Sequence, residues 1–336
     1  MKRLIVARWR MILAVMVATA LAPVTWIRTE LPAPDFDAPV TFTRIATPIR
    51  TVGEVEILRA WKLASNSNHF GGYSAMIATG PQQLIAASDL GRIMRLSLPA
   101  AGSPIANLSY LSGKIELQKR LIDAESMTRD PGTGRIWIGY EGINAIERRD
   151  ERMRNPRGVR PPQMGNFSSN KGAEAIARLA DGRFIVLAEG SRGWGSRDFA
   201  GLLFPADPVD DPAQELRAAE FNFDPPEGYR PVDMVQIPDG RVLILVRTLH
   251  WQIMPRFTAK LVLADPAEIY PGGTWSGRVI AEFAPPNPSD NYEGLAMWPR
   301  PDGLLDLWLV SDDNRNSFQN TYLLEMRWNP AGGTAN

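Results

Sequence analysis

Five stretches of the chain repeat one arrangement of apolar and polar positions. Each opens with a short apolar strand carrying an acidic or small polar residue near its start. A turn follows, often Asp-Gly or Thr-Gly, and then a second apolar strand ending in a polar or charged residue. The first copy joins Gly72-Tyr73-Ser74-Ala75-Met76 to residues 83–87 and Ser88-Asp89. The second joins Asp123-Ala124-Glu125-Ser126-Met127 to 135–139 and Glu141. The third runs from Gly172-Ala173-Glu174-Ala175-Ile176 through Asp181-Gly182 and 184–188 to Glu189. The fourth runs from Pro231-Val232-Asp233-Met234 through Asp239-Gly240 and 242–246 to Arg247. The fifth joins Asn291-Tyr292-Glu293-Gly294-Leu295 to 304–310 and Ser311-Asp312-Asp313-Asn314. A period of roughly 50–60 residues suits a four-stranded propeller blade with generous loops, and Asp-Gly suits the tight hairpins between its strands.

Further apolar runs fall where blades need them. Residues 92–98, 144–148, 201–205 and 260–264 are expected as third strands, and 115–121, 218–223 and 278–283 as outer strands. The last copy has a third strand, Thr321–Trp328, and no outer one, whereas 55–63 has no blade of its own. Pairing these two would close the ring and leave no open sheet edge. The expectation is therefore an all-β propeller of five blades. A sixth stays open if 151–170 hides part of one, and 211–219 can also be read as a short helix with Asp211 as N-cap and Pro212 first.

The N-terminus adds a destination. Lys2, Arg3, Arg8 and Arg10 precede an uncharged run over 11–27, the basic and apolar regions of an export signal. Cleavage is expected after Ala20 or Ala22, with Pro23 disfavouring the second site; the alternative is an uncleaved membrane anchor. Either places the body in the periplasm or outside the cell. Residues 28–50 are expected to be an extended linker, 51–330 the propeller and 331–336 a tail.

Thirty-seven basic residues balance 37 acidic ones, so no net field favours nucleic acid, and the arginine-rich stretch 148–160 reads as a solvated loop. No cysteine is present, which excludes thiolate metal sites and thiol nucleophiles. His69 and His250 are the only histidines, too few for an imidazole metal site, and His69 reads as a surface-loop residue. No Gly-x-Ser-x-Gly elbow supports a serine hydrolase.

The carboxylates carry the candidate chemistry. Glu125, Glu174, Asp233 and Glu293 hold matching places on strands that would line the channel, and Asp89, Glu141, Glu189, Asp312 and Asp313 end the neighbouring strands. Crowded carboxylates repel unless a cation relieves them, and hard oxygen donors point to Ca²⁺ before Mg²⁺. Glu125, Glu174 and Glu293 are the expected catalytic acids, with Glu189 and Asp312 joining them as metal ligands. Equally open is a structural role, with each acid accepting backbone N–H bonds between strands. The loop from Gly190 to Asp198 contains three glycines with Arg192 and Arg197, and could hold an anion. Arg247, standing at an acid's place, would contact a small anionic substrate or pair with a neighbouring carboxylate.

These motifs resemble the phytase-like propeller family known as "esterase-like activity of phytase". Gly71-Gly72-Tyr73-Ser74, Ser88-Asp89, Asp123-Ala124-Glu125, Lys171-Gly172-Ala173-Glu174-Ala175-Ile176, Asn291-Tyr292-Glu293-Gly294-Leu295 and Ser311-Asp312-Asp313-Asn314 carry the resemblance. It implies an exported propeller and hydrolysis of a phosphoester or ester. The chain departs from the pattern at Glu125-Ser126 and Glu174-Ala175, where Glu-Gly is usual, and at Asp233 and Arg247 in the fourth copy. A metal-assisted phosphoester hydrolase is thus the first expectation. A calcium-dependent lactonase and a non-catalytic binding or scaffold propeller are the alternatives.

Overall fold

A strand sends alternate side chains to opposite faces, so a strand buried on both faces is apolar throughout. The second strands of the repeats read this way because each lies between two sheets. In the computed structural model, residues 12–13, 15–16, 35–111, 123–167, 172–191, 199–211, 217–250, 256–315 and 318–332 are described. Two units divide the chain at Asp35/Phe36. The described residues of the first include Ile12, Leu13, Val15 and Met16, which are helical and exposed. No helix among the described residues is long and apolar enough to cross a membrane. The remainder of the expected export segment lies outside the described residues.

The second unit is a five-bladed propeller. It opens with β1 (Val40–Arg44), β2 (Thr51–Val52) and β3 (Val55–Ser65). The first blade is β4 (Tyr73–Gly80), β5 (Gln83–Ser88), β6 (Arg92–Ser97) and β7 (Ile105–Tyr110). The second is β8 (Ala124–Arg129), β9 (Ile136–Tyr140), β10 (Ala145–Arg149) and β11 (Arg157–Val159). The third is β12 (Ala173–Arg178), β13 (Phe184–Ser191), β14 (Phe199–Phe204) and β15 (Ala219–Phe223). The fourth is β16 (Arg230–Gln236), β17 (Val242–His250) and β18 (Arg256–Ala264), followed by β19 (Thr274–Trp275), which crosses back to β15, and β20 (Arg278–Phe283). The fifth is β21 (Asn291–Pro299), β22 (Leu305–Asp312) and β23 (Thr321–Trp328). As expected, β3 completes it against β23, with Val55 opposite Trp328 and Leu63 opposite Thr321. The inner strands β4, β8, β12, β16 and β21 pack successively into a closed ring.

The core is five apolar layers, one between each pair of adjacent blades. β17 shows the rule: Leu243 and Leu245 enter the layer shared with the fifth blade, and Val242, Ile244 and Val246 the layer shared with the third. β5 divides likewise, with Leu84 and Ala86 on one side and Ile85 and Ala87 on the other.

Several boundaries differ from expectation. The outer strand of the first blade is β7; the segment 115–121 lies outside the described residues. β7 escaped notice because an outer strand buries little, and Ile105 is 59% exposed. The stretch 151–170 supplies β11 and a 3-10 turn at Pro162–Asn166, which complete the second blade and make no sixth. Most of the short helix expected over 211–219 lies outside the described residues; Asp211 itself follows a 3-10 turn at Pro208–Asp210 capped by Asp207. β1 lies inside the stretch expected to be a linker and pairs with β3.

Because the chain has no cysteine, ring closure can be tested by a cross-link. Lys62 and Tyr322 face each other across β3 and β23. The double variant Lys62→Cys/Tyr322→Cys should form a disulfide on oxidation and raise unfolding stability by roughly 4 kcal/mol. Comparison of denaturant unfolding with and without reductant checks it; failure to cross-link would show that the strands do not pair.

Candidate functional site

Each inner strand slips register by one residue near its start. The slips fall between Tyr73 and Ala75, Ala124 and Ser126, Ala173 and Ala175, Pro231 and Asp233, and Tyr292 and Gly294. The residue skipped is Ser74, Glu125, Glu174, Val232 and Glu293 in turn. A bulge releases its extra residue from pairing and re-aims its side chain, so one backbone device delivers three glutamates to one mouth of the ring. In the fourth blade the bulged residue is Val232. Asp233 stands one position further on, and its expected equivalence with the glutamates is corrected accordingly.

Asp233 has a different task. It is fully buried, takes the Met234 amide at 2.8 Å and, across to β21, the Leu295 amide at 2.7 Å. The Met76 amide on β4 also donates to it. Burial holds its pKa well above the ordinary carboxylate range against these three donors. Here the structural role of an acid is realised, tying three inner strands together.

The glutamates crowd. Asp123, Glu125 and Glu141 each bring a carboxylate oxygen to within 4.8 Å of the others. Burial and then the charges of Glu174, Glu293, Asp123 and Asp89 push the pKa of Glu125 well up. Glu174 is raised by burial and then by Glu189, Glu141 and Glu293, and Asp312 by burial and then by Glu293. The Glu141 carboxyl is within hydrogen-bonding reach of Glu174 and accepts the Gly172 amide at 3.4 Å. Thus the compact oxygen group comes from Asp123, Glu125 and Glu141 of one blade. Of the three glutamates expected to share one cation, Glu174 and Glu293 act on Glu125 as like charges, and Glu293 acts so on Glu174.

Arg247 distinguishes Glu293 from Glu125. Its Nη2 lies 2.9 Å from Glu293 Oε1 and 3.2 Å from Glu189 Oε1. Asn291 Nδ2 donates to the same Glu293 oxygen at 2.7 Å, and Arg230 lies 3.8 Å from Glu189. Glu189 and Glu293 are therefore neutralised from within, and Arg247 is an ion-pair partner. Arg192 and Arg197 lie outside the described residues. Asp312 takes the Asn314 amide at 2.7 Å, and Asp313 takes the Gly72 amide at 3.1 Å and the Thr321 hydroxyl at 3.0 Å. The adjacent Gly71 and Gly72 have φ of 99° and 73°, and a Cβ on either would come within 2.7 Å of an Asp313 or Asp89 carboxylate oxygen.

The rim also holds a positive corner that sequence reasoning missed. Arg92 is 3% exposed, and its Nε and Nη1 have no hydrogen-bond partner among the described residues. Tyr110 lies opposite it on β7, within hydrogen-bonding reach, and contacts Nδ1 of His69. His69 is 4% exposed, so it belongs to the interior and not to the surface. Arg315 donates to the Asn68 carbonyl at 3.2 Å, bringing a second guanidinium over the same loop. Burial and then Arg315 lower the pKa of Arg92, while Asp89 favours its charge. The available signal was an arginine opening β6, a strand that also carries Arg95. Carboxylates able to hold a cation thus lie near a buried guanidinium able to hold an anion, with Asp89 interacting with both Arg92 and Glu125.

A family model described as Phytase-like, "Esterase-like activity of phytase", matches residues 68–315. Among solved structures, a luciferin-regenerating enzyme is similar at 11% identity and a TM-score of 0.41, covering 88% of this chain and 90% of that one. A nidogen/laminin complex chain is similar at 10% identity and a TM-score of 0.38, covering 82% and 86%. No curated protein matches.

Two outcomes follow from this geometry. Carboxyls with raised pKa keep protons in the folded state where the unfolded chain has released them. Their contribution to stability is therefore present at low pH and lost as pH rises above the ordinary carboxylate range of about 4–4.5. In EDTA, the protein should melt at a lower temperature at pH 7.5 than at pH 5, and Glu174→Gln should narrow the gap; an equal gap in the variant would contradict the crowding. Asp233→Ala strands buried amides on three strands, so denaturant unfolding should show a loss of about 3 kcal/mol or more.

Proposed function

The chain belongs to the phytase-like family, and from that premise we propose an exported hydrolase of small anionic esters. Phosphate monoesters are its substrate class, with Ca²⁺ held by Asp123, Glu125 and Glu141. One observation carries the reading. These three carboxylates converge within 4.8 Å, while Glu125 has no cationic partner among the described residues and every charge raising its pKa is another carboxylate. An all-oxygen donor set of this kind fits a hard cation. When bound, such an ion would polarise a phosphoryl oxygen and acidify a water.

The protein's own residues supply the rest. Arg92, with two unsatisfied guanidinium nitrogens, receives the substrate's anionic oxygens, and Arg315 adds charge above it. Glu174, poised by burial to hold a proton and within reach of Glu141, gives that proton to the leaving-group oxygen as the ester bond breaks. Arg247 holds Glu293 and Glu189 in place through its ion pairs, so these two shape the rim without serving as ligands. The basic segment before residue 11 and the uncharged run over 11–27 support export.

The test is hydrolysis of p-nitrophenyl phosphate, a p-nitrophenyl carboxylate ester and a lactone, each with Ca²⁺ and with EDTA. We expect Ca²⁺-dependent phosphate release that EDTA abolishes. Glu174→Gln should lower kcat about a hundredfold or more, and Arg92→Met should chiefly raise KM. Ester or lactone turnover without phosphatase activity would reassign the substrate. No turnover on any of the three, with melting temperature indifferent to Ca²⁺, would leave a non-catalytic binding propeller. The fourth blade favours that second reading, since Val232 and Arg247 replace its acid pair.

A further inference from the structure

The inner strands begin at the acidic mouth and end at a chemically different one. The later residues of β4, up to Ala78, and the last residues of β8, β16 and β21, with Arg178 ending β12, line a cavity of ≈ 490 Å³. This volume is in the range of small-molecule sites, about 300–1,000 Å³. Met297 and Trp298, both half-buried, are its exposed apolar wall, with Met76 and Met127 buried in the core layers behind it. Methionine side chains adapt to ligand shape, and their sulfur contacts aromatic rings favourably. Glu125 and Arg129 lie four residues apart on β8, about 13 Å along the strand. The bridging Asp233 precedes the cavity-lining Val235 on β16.

The cavity's charges are unequal. Arg178 is engaged: it lies 3.5 Å from Asp130, donates to the Leu179 carbonyl at 3.2 Å and stands over the Trp137 ring. Arg129 lines the same cavity and is half-buried. Its side chain makes no ion pair or hydrogen bond among the described residues. The walls are braced between blades: the Arg178 amide donates to Thr128 Oγ1 at 3.1 Å, and the Ala180 amide to Gln236 Oε1 at 2.7 Å. A preformed apolar space with one uncommitted guanidinium at its wall complements one kind of molecule, an apolar body bearing a single anionic head.

We propose that this mouth is a second binding site for an amphipathic organic monoanion. Its head, a carboxylate or sulfonate, pairs with Arg129, and its apolar body rests on Met297 and Trp298. The site is independent of the acidic mouth, and its occupancy requires no hydrolytic activity.

The test uses two fluorescent probes of one shape and different charge, 8-anilinonaphthalene-1-sulfonate and neutral N-phenyl-1-naphthylamine, on the full chain at neutral pH. Saturable one-to-one binding of the sulfonate to wild type is expected. Arg129→Met should weaken the sulfonate about tenfold or more and leave the neutral probe within twofold. Met297→Trp, which fills the cavity from a half-buried position, should weaken both. Glu125→Gln should change neither, separating this site from the hydrolase reading. Near-ultraviolet circular dichroism confirms that each variant is folded. Absence of saturable sulfonate binding to wild type would overturn the proposal. So would sulfonate affinity unchanged in folded Arg129→Met, or affinity for both probes unchanged in folded Met297→Trp.

Discussion

A blade buried on both faces needs two neighbours, and the last blade can complete its sheet only if a strand from the start of the domain crosses to it. The pairing of β3 with β23 is therefore the constraint on which the rest depends. It also fastens the closing blade to both sides. Gly53, at the turn into β3, has φ of 59° and lies so close to Ile280 of the fourth blade that a Cβ would be 2.1 Å from its carbonyl oxygen. The Glu54 amide donates to that oxygen at 2.8 Å, and the Glu54 carboxylate pairs with Arg278. On the other side, Arg59 pairs with Glu325 and donates to the carbonyls of Leu98 and Pro99 in the first blade. The closing strand is thus a clasp with a charged hook on each flank.

Closure also makes the acidic mouth possible. Carboxylates that would repel one another into water on an open sheet are held together because five inner strands have no freedom to spread. The bulges aim them, and Arg247 relieves part of the repulsion at Glu189 and Glu293. What remains concentrates at Asp123, Glu125, Glu141 and Glu174, with burial and like charge acting in the same direction. Stability set aside in one small region is a common feature of sites that bind a counter-charge.

The repeat was legible because both-face burial makes second strands continuous apolar runs, and because turn residues mark the hairpins. Closure was legible because one strand lacked a sheet and one sheet lacked a strand. The outer strands were harder: β7 and β11 are short or exposed, and little in their composition distinguishes them from loops. Within the site, residue type was legible and register was not. A bulge is set by backbone geometry, so Asp233 looked like the fourth glutamate until pairing showed Val232 in that place. Arg247 could be read as an ion-pair partner from its position among acids. Arg92 could be read only as an arginine at the start of a strand, since its significance lies in the groups it fails to meet.

Propeller geometry gives each inner strand two ends, and this chain uses them oppositely. The starting ends carry acids on bulges, where repulsion leaves charge to be balanced by a ligand. The finishing ends carry Met297, Trp298 and one guanidinium without an ion pair among the described residues, where apolar surface and a positive charge are left to be covered. Between them Asp233 accepts amides from three strands and is wholly buried. An acid there cannot serve either mouth; its role is to hold the strands at a fixed spacing. The degenerate fourth copy follows from that division: its bulge position is released to valine, its second-strand acid becomes the arginine that balances its neighbours, and its remaining carboxylate becomes the brace between two mouths of opposite chemistry.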